Sequence, residues 1–86
     1  MQFTLYSRSY CHLCEDMLQA LQVLQQEHLF VIEIIDIDED NDLVAQFDEL
    51  VPVLFARKGD TAPVQLCHYF LNEIKVGAFL RNEASD

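Results

Sequence analysis

Met1-Gln2-Phe3-Thr4-Leu5-Tyr6-Ser7-Arg8-Ser9-Tyr10-Cys11-His12-Leu13-Cys14-Glu15-Asp16-Met17 passes from a two-residue alternation, through a short polar loop, into a pair of cysteines and a helical pattern. Phe3 and Leu5 alternate with Gln2 and Thr4, so Met1 to Tyr6 reads as a strand and Ser7 to Tyr10 as a loop. From Cys11 onward Leu13, Met17, Leu21 and Leu24, joined by Leu18 and Ala20, recur three or four residues apart. Gln19, Gln22, Gln25 and Gln26 fall toward the wet side, which predicts a helix from about Cys11 to Glu27 with one buried stripe.

Working outward, Phe30 to Ile37 (FVIEIIDI) is β-branched and apolar on both faces, as suits a parallel strand covered by helices after a strand-helix crossover. Asp38-Glu39-Asp40-Asn41-Asp42 then precedes Leu43, Val44 and Phe47, so Asp40 or Asn41 is placed to cap a short helix ending by Leu50. Val51 to Ala56 reads as a third strand, with Pro52 near its start, where a missing amide donor is tolerable. Lys58-Gly59-Asp60 is a turn and Val64 to Phe70 a returning fourth strand. Asn72 is positioned to cap a last helix bearing Ile74, Val76, Phe79 and Leu80, interrupted by Gly77, and Asn82 to Asp86 is expected to fray. The order β-α-β-α-β-β-α predicts an α/β fold with a four-stranded mixed sheet flanked by helices, in one domain over residues 1–86.

Composition narrows the function. The 86 residues are 51% hydrophobic, enough for one modest core and too few for two domains. Five Lys and Arg against fifteen Asp and Glu give a net charge of -10, which repels phosphate backbones and anionic bilayers; neither nucleic acid nor membrane is an expected partner. No apolar run approaches the roughly 20 residues of a membrane span, and Met1-Gln2-Phe3-Thr4 enters the first strand without a basic stretch or cleavage site. A cytoplasmic monomer is expected.

The three cysteines carry the chemistry. Cys11 and Cys14 form a C-x-x-C pair, and Cys67 lies far off. A cysteine delivered by a loop to a helix N-terminus meets unpaired backbone N–H groups and the positive end of the dipole, conditions under which a thiol pKa can fall from about 8.5 to roughly 3.5–7.5. Cys14, one turn on, can close a disulfide, so Cys11 is the candidate nucleophile and Cys14 the resolving cysteine. Arg8 and His12 add positive potential beside Cys11, while Glu15 and Asp16 oppose a thiolate.

Other chemistries fit less well. A zinc site built from Cys11, His12, Cys14, Cys67 and His68 requires the adjacent Cys67 and His68 to reach one ion from opposite faces of a strand. Haem attachment requires a histidine where Glu15 stands. Asp36-x-Asp38-x-Asp40 begins like a calcium loop, but Asn41 replaces the glycine and Phe47 the bidentate glutamate. Cys67, alternating with Gln65 and Tyr69, reads as a buried small hydrophobe, and His68 is given no role. The strand aromatics Phe3, Tyr6, Phe30, Phe55, Tyr69 and Phe70 read as core. Two alternatives to redox chemistry stay open: a non-catalytic interaction module and a zinc-binding protein.

Tyr6 to Cys14, the Asp36-Ile37-Asp38 closing the second strand, and Val51-Pro52-Val53-Leu54 together resemble the small bacterial glutaredoxin-like proteins of the thioredoxin-fold superfamily. The resemblance spans about Met1 to Leu80 and implies strand order 2-1-3-4, strands one and two parallel, three and four antiparallel. It implies that Cys11 attacks and Cys14 resolves, that Pro52 is cis and lies against the sulfurs, and that the Val51 backbone pairs with an extended substrate. With Tyr10 and Arg8 from the loop before Cys11, Val51 and Pro52 make the candidate substrate-binding set. The implied function is a thiol-disulfide oxidoreductase exchanging electrons with a disulfide-containing protein or a low-molecular-weight thiol. Classical members have Thr-Val-Pro where this chain has Leu50-Val51-Pro52, a Gly-Gly pair where it has Cys67 to Asn72, and Cys-Pro-Tyr-Cys for its Cys-His-Leu-Cys. No bound cofactor is expected, and glutathione stands as one candidate reductant, with Arg8 or Arg57 to offset its charge.

Overall fold

A computed structural model describes residues 1–82. Among them the chain forms β1 (Gln2–Ser7), α1 (His12–Gln25), β2 (Val31–Asp36), a 3₁₀ turn (Ile37–Glu39), α2 (Asn41–Phe47), β3 (Val53–Arg57), β4 (Val64–His68) and α3 (Glu73–Asn82). The sheet runs β2-β1-β3-β4, with β1 parallel to β2 and antiparallel to β3, and β4 antiparallel to β3. This is the topology that the resemblance implies. Asn82 is the last residue of α3, and the rest of the stretch expected to fray lies outside the described residues.

Strand alternation divides the side chains between two layers. Phe3 and Leu5 of β1, with Leu54 and Ala56 of β3, face a core closed by Met17 and Leu21 of α1 and by Val76 and Leu80 of α3. Phe30 stacks on Phe3 with ring centres 4.5 Å apart, and Phe79 meets Phe3 edge-on at 6.0 Å. On the other face Tyr6, Phe47 and Phe55 form an aromatic triangle with centres 4.8 to 6.1 Å apart, which seats the seven-residue α2 on the sheet. Two helices start at caps that the sequence offers: of Asp40 and Asn41 it is the Asp40 carboxylate that caps α2, accepting the Asp42 N–H at 2.8 Å, and the Asn72 side chain accepts the Lys75 N–H at 3.0 Å ahead of α3.

Three expectations are corrected. β2 is an edge strand rather than a covered one, and Val31 and Ile34, on opposite faces, are 63% and 52% exposed. Its β-branched run suits a pleated strand, but α2 is too short to roof that edge. Ile74 stands 82% exposed, because it lies two positions from Val76, about 200° around the helix from the stripe of Val76 and Leu80. In β4 the two-residue alternation breaks: Leu54 pairs with Cys67 but the next residue, Phe55, pairs with Gln65, so Leu66 is an extra residue in a bulge. Leu66 is buried, and Cys67, half-buried, packs on the core beside it instead of sharing a face with Gln65.

Two strands also end differently from expectation. β3 starts at Val53 rather than Val51, since Pro52 has no amide hydrogen to give. β4 stops at His68, because Tyr69 adopts a positive φ of 63°. In the β3-β4 turn Gly59 takes φ 53°, a conformation that costs glycine little, and Thr61 closes the turn by donating its N–H to the Lys58 carbonyl at 3.0 Å.

Candidate active site

β1 pairs with β2 through Ser7 and Asp36, and the chain then leaves the sheet through Arg8, Ser9 and Tyr10. Tyr10 takes φ 60° and is fully exposed, and the turn it makes presents Cys11 as the N-cap of α1. Cys11 is extended, and the Cys14 N–H donates to its Sγ at 3.1 Å, so the sulfur occupies the place that a serine or aspartate oxygen usually takes. The two cysteines are joined in a disulfide with Cα atoms 5.2 Å apart. Their environments differ: Cys11 is half-buried, Cys14 is 5% exposed, on the core side of α1. An attacking sulfur can approach Cys11, whereas Cys14 is reached from within the molecule.

The candidate site residues fall at one end of the sheet. Tyr6 pairs with Val53 across the β1-β3 ladder, which sets Pro52 level with the end of β1, and Val53 pairs in turn with His68. The Cys11 loop, the Val51-Pro52 segment and the end of β4 therefore share that end, and the Val51-Pro52 peptide is cis as the resemblance implies. A cavity of about 170 Å³ beside the disulfide is lined by Leu5, Ser7, Arg8, Tyr10, Cys11 and Cys14, among others. A larger depression, at the opposite end, is lined by Met1, Gln2, Val31 and Arg57 and includes no cysteine.

Arg8 lies next to the pair, but its donors are engaged elsewhere. Its guanidinium contacts Asp38 in a two-point bond at 2.7 and 3.3 Å and also bonds Asp48. The hydrogen bond to Asp38, foremost, raises Arg8 above its already basic ordinary value, and the two carboxylates offset its charge locally. Arg8 thus ties the Cys11 loop to the 3₁₀ turn and to the residue after α2. Arg57 pairs with Gln2 at the far end of the sheet and donates to that side chain at 3.1 Å, so it is remote from the sulfurs. His12 is exposed on the first turn of α1; His68 is exposed and meets the Tyr69 ring at 4.7 Å.

Residues that the sequence reading did not bring together here are Phe47, Glu49 and Tyr69. The Val51 N–H donates to the Phe47 carbonyl at 3.2 Å, the Tyr69 N–H to the Pro52 carbonyl at 2.9 Å, and the Tyr69 hydroxyl to the Glu49 carbonyl at 2.6 Å. The available signal was a tyrosine in the stretch where classical glutaredoxins carry glycines. For the zinc alternative, among the described residues no group of three or more His, Cys, Asp or Glu side chains is arranged to hold a metal ion. No helix among them is long and apolar enough to cross a membrane.

Comparison with known proteins agrees with this architecture. Protein Ne2328 from Nitrosomonas europaea is 40% identical, with 92% of this chain and 89% of that one covered and a TM-score of 0.77. Protein XcR50 from X. campestris is 26% identical, with 93% and 96% covered and a TM-score of 0.59. The oxidized mitochondrial thioredoxin 3 of Saccharomyces cerevisiae, at 17% identity, 94% and 76% coverage and a TM-score of 0.70, shows that the fold is thioredoxin-like. No curated protein matches the chain. The model of the family described as Glutaredoxin-like domain (DUF836) matches residues 2–81, and the chain belongs to that family.

Proposed function

We propose that this protein is a thiol-disulfide oxidoreductase that cycles Cys11 and Cys14 between dithiol and disulfide to reduce protein or low-molecular-weight disulfides. The observation that supports it most is the placement of the pair: Cys11 caps α1 with its sulfur accepting the Cys14 N–H, and Cys14 is buried one turn behind. In the reduced protein that N–H and the helix dipole favour negative charge on Cys11. The Cys11 thiolate attacks one sulfur of the substrate disulfide, forms a mixed disulfide and releases the other sulfur as a thiolate, which takes up a proton. Cys14 then loses its proton and attacks the Cys11 sulfur, forming the internal disulfide and releasing the second substrate thiolate. The substrate gains two electrons and two protons, and the pair loses them. An external thiol or dithiol, glutathione among the candidates, restores the dithiol.

Val51, Pro52, Tyr10 and Arg8 form the substrate-facing surface on this reading, with Arg8 acting through the loop it anchors. The chain works as a single domain without a bound cofactor. Its partners are disulfides and thiols rather than nucleic acid, in keeping with the charge of -10. The test is insulin disulfide reduction with a dithiol as electron source. The wild-type protein is expected to exceed the free dithiol at matched thiolate concentration, and Cys11→Ser to fall to the rate of the dithiol alone. Equal rates for wild type and Cys11→Ser overturn the proposal and leave a binding module.

A further inference from the structure

The residue that closes β4 does two jobs at once. Tyr69 sits at φ 63°, a region side chains with a Cβ rarely adopt, and the Phe70 N–H donates to the His68 carbonyl at 2.7 Å to close a three-residue turn around it. Glycine is the low-strain choice for such a turn. A tyrosine there brings a hydroxyl that donates at 2.6 Å to the carbonyl of Glu49, twenty residues away, just beyond the end of α2. The same residue's N–H donates to the Pro52 carbonyl at 2.9 Å. One residue therefore holds both ends of the segment Glu49 to Pro52, one with its side chain and the other with its backbone.

Within that segment the Val51 N–H is taken by the Phe47 carbonyl at 3.2 Å, while no described residue donates to the Val51 carbonyl. The segment thus offers an approaching molecule an acceptor and no donor at Val51. An extended polypeptide can supply the matching N–H; a small disulfide without an amide cannot.

We propose that Tyr69 is a positioning residue that fixes the Val51 carbonyl as a one-sided docking point for substrate amide groups, which makes polypeptide disulfides the favoured substrates. This deepens the oxidoreductase reading and rests on it. Tyr69 touches neither the substrate sulfurs nor the cysteines; it acts through the backbone it holds. Loss of its hydroxyl frees the Glu49 carbonyl and loosens one end of the segment while the bond to Pro52 remains.

The experiment compares wild type, Tyr69→Phe and Tyr69→Gly on two probes, a disulfide-containing peptide and 2-hydroxyethyl disulfide, which has no N–H. Tyr69→Phe is expected to raise KM for the peptide about fivefold, the effect of roughly one neutral hydrogen bond, with kcat little changed. Kinetics on 2-hydroxyethyl disulfide and the Cys11–Cys14 equilibrium in glutathione buffer stay as in wild type. Tyr69→Gly, which keeps the backbone turn and removes the side chain, is expected to show the same split between probes. Equal losses on both probes, or wild-type kinetics on the peptide for both variants, overturn the proposal alone. A wild-type protein inactive on both probes overturns the oxidoreductase reading and this proposal with it.

Discussion

Tyr10 and Tyr69 lie in loops at the same end of the sheet with nearly the same φ, 60° and 63°, yet the two turns are held in opposite ways. Tyr10 projects wholly into solvent, and no hydrogen bond or ring contact ties its side chain to another described residue. Tyr69 is bound at its hydroxyl, at its amide and through its ring. A non-glycine residue in this region carries about 1–3 kcal/mol of strain. At Tyr69 a hydroxyl hydrogen bond worth about 1 kcal/mol offsets part of it; at Tyr10 no such bond does. The Cys11 turn is closed within a few consecutive residues, by the Cys14 N–H on the Cys11 sulfur and the Glu15 N–H on the Cys11 carbonyl at 3.2 Å. The Tyr69 corner is assembled from the end of α2, the start of β3 and the end of β4.

The largest effect that separates the two regions is expected at Leu66. This bulge residue is buried in the core, and its side chain pins the extra position that sets the phase of Cys67, His68 and Tyr69. Leu66→Ala is expected to lower stability by about 2–4 kcal/mol, read from chemical denaturation. Hydrogen exchange in the same variant is expected to quicken more at the Tyr69 amide, bonded across to Pro52, than at the Glu15 amide, bonded within its own turn. Equal acceleration at both amides means that the corner is no more dependent on distant packing than the cysteine turn.

A smaller effect, about 1 kcal/mol, is expected as the difference between glycine at Tyr10 and glycine at Tyr69. Tyr10→Gly removes backbone strain and no hydrogen bond, so it is expected to raise the midpoint of denaturation. Tyr69→Gly relieves the same strain but loses the hydroxyl bond and the contact with His68, so it is expected to be neutral or destabilising. The sign of the difference between the two variants is what matters. Equal stabilisation by both shows that the Tyr69 hydroxyl contributes nothing to the fold.

The same contrast explains what the sequence reveals. The cysteine turn is legible because its determinants are contiguous: a strand, a loop, a capping sulfur and a helical stripe follow one another from Phe3 to Leu24, and pairing of β1 with β2 follows from the crossover. Asp40 and Asn72 are legible as caps for the same reason, since each bonds an N–H two or three residues ahead. The corner is not legible. A bulge leaves the apolar pattern of Val64 to His68 intact while shifting the faces, so alternation misplaces Cys67. The partners of Arg8, Asp38 and Asp48, lie 30 and 40 residues away among many acids, any of which sequence alone allows. The exposed edge of β2 escapes notice because β-branched residues favour strands whether or not anything covers them.

Cys67 gives the smallest and most selective test, since it stands between the two regions without belonging to either. Burial pushes its thiol above the ordinary cysteine value, against smaller opposing contributions from the Asn72 backbone and Lys75. The thiol form is thus favoured by folding. Folding at this site is stabilised in full at pH below the unfolded thiol value, and that share is lost as pH climbs through the raised folded value. In reduced protein, alkylation of Cys67 by iodoacetamide is expected to lag behind a cysteine in an unstructured peptide at pH 8, and to gain on it as the pH is raised further. Cys67→Ala is expected to flatten the alkaline decline in stability while leaving redox cycling by Cys11 and Cys14 unchanged. Alkylation of Cys67 as fast as the free peptide thiol at pH 8 means that the bulge leaves the sulfur in water, and that β4 packs less closely on the core than its register requires.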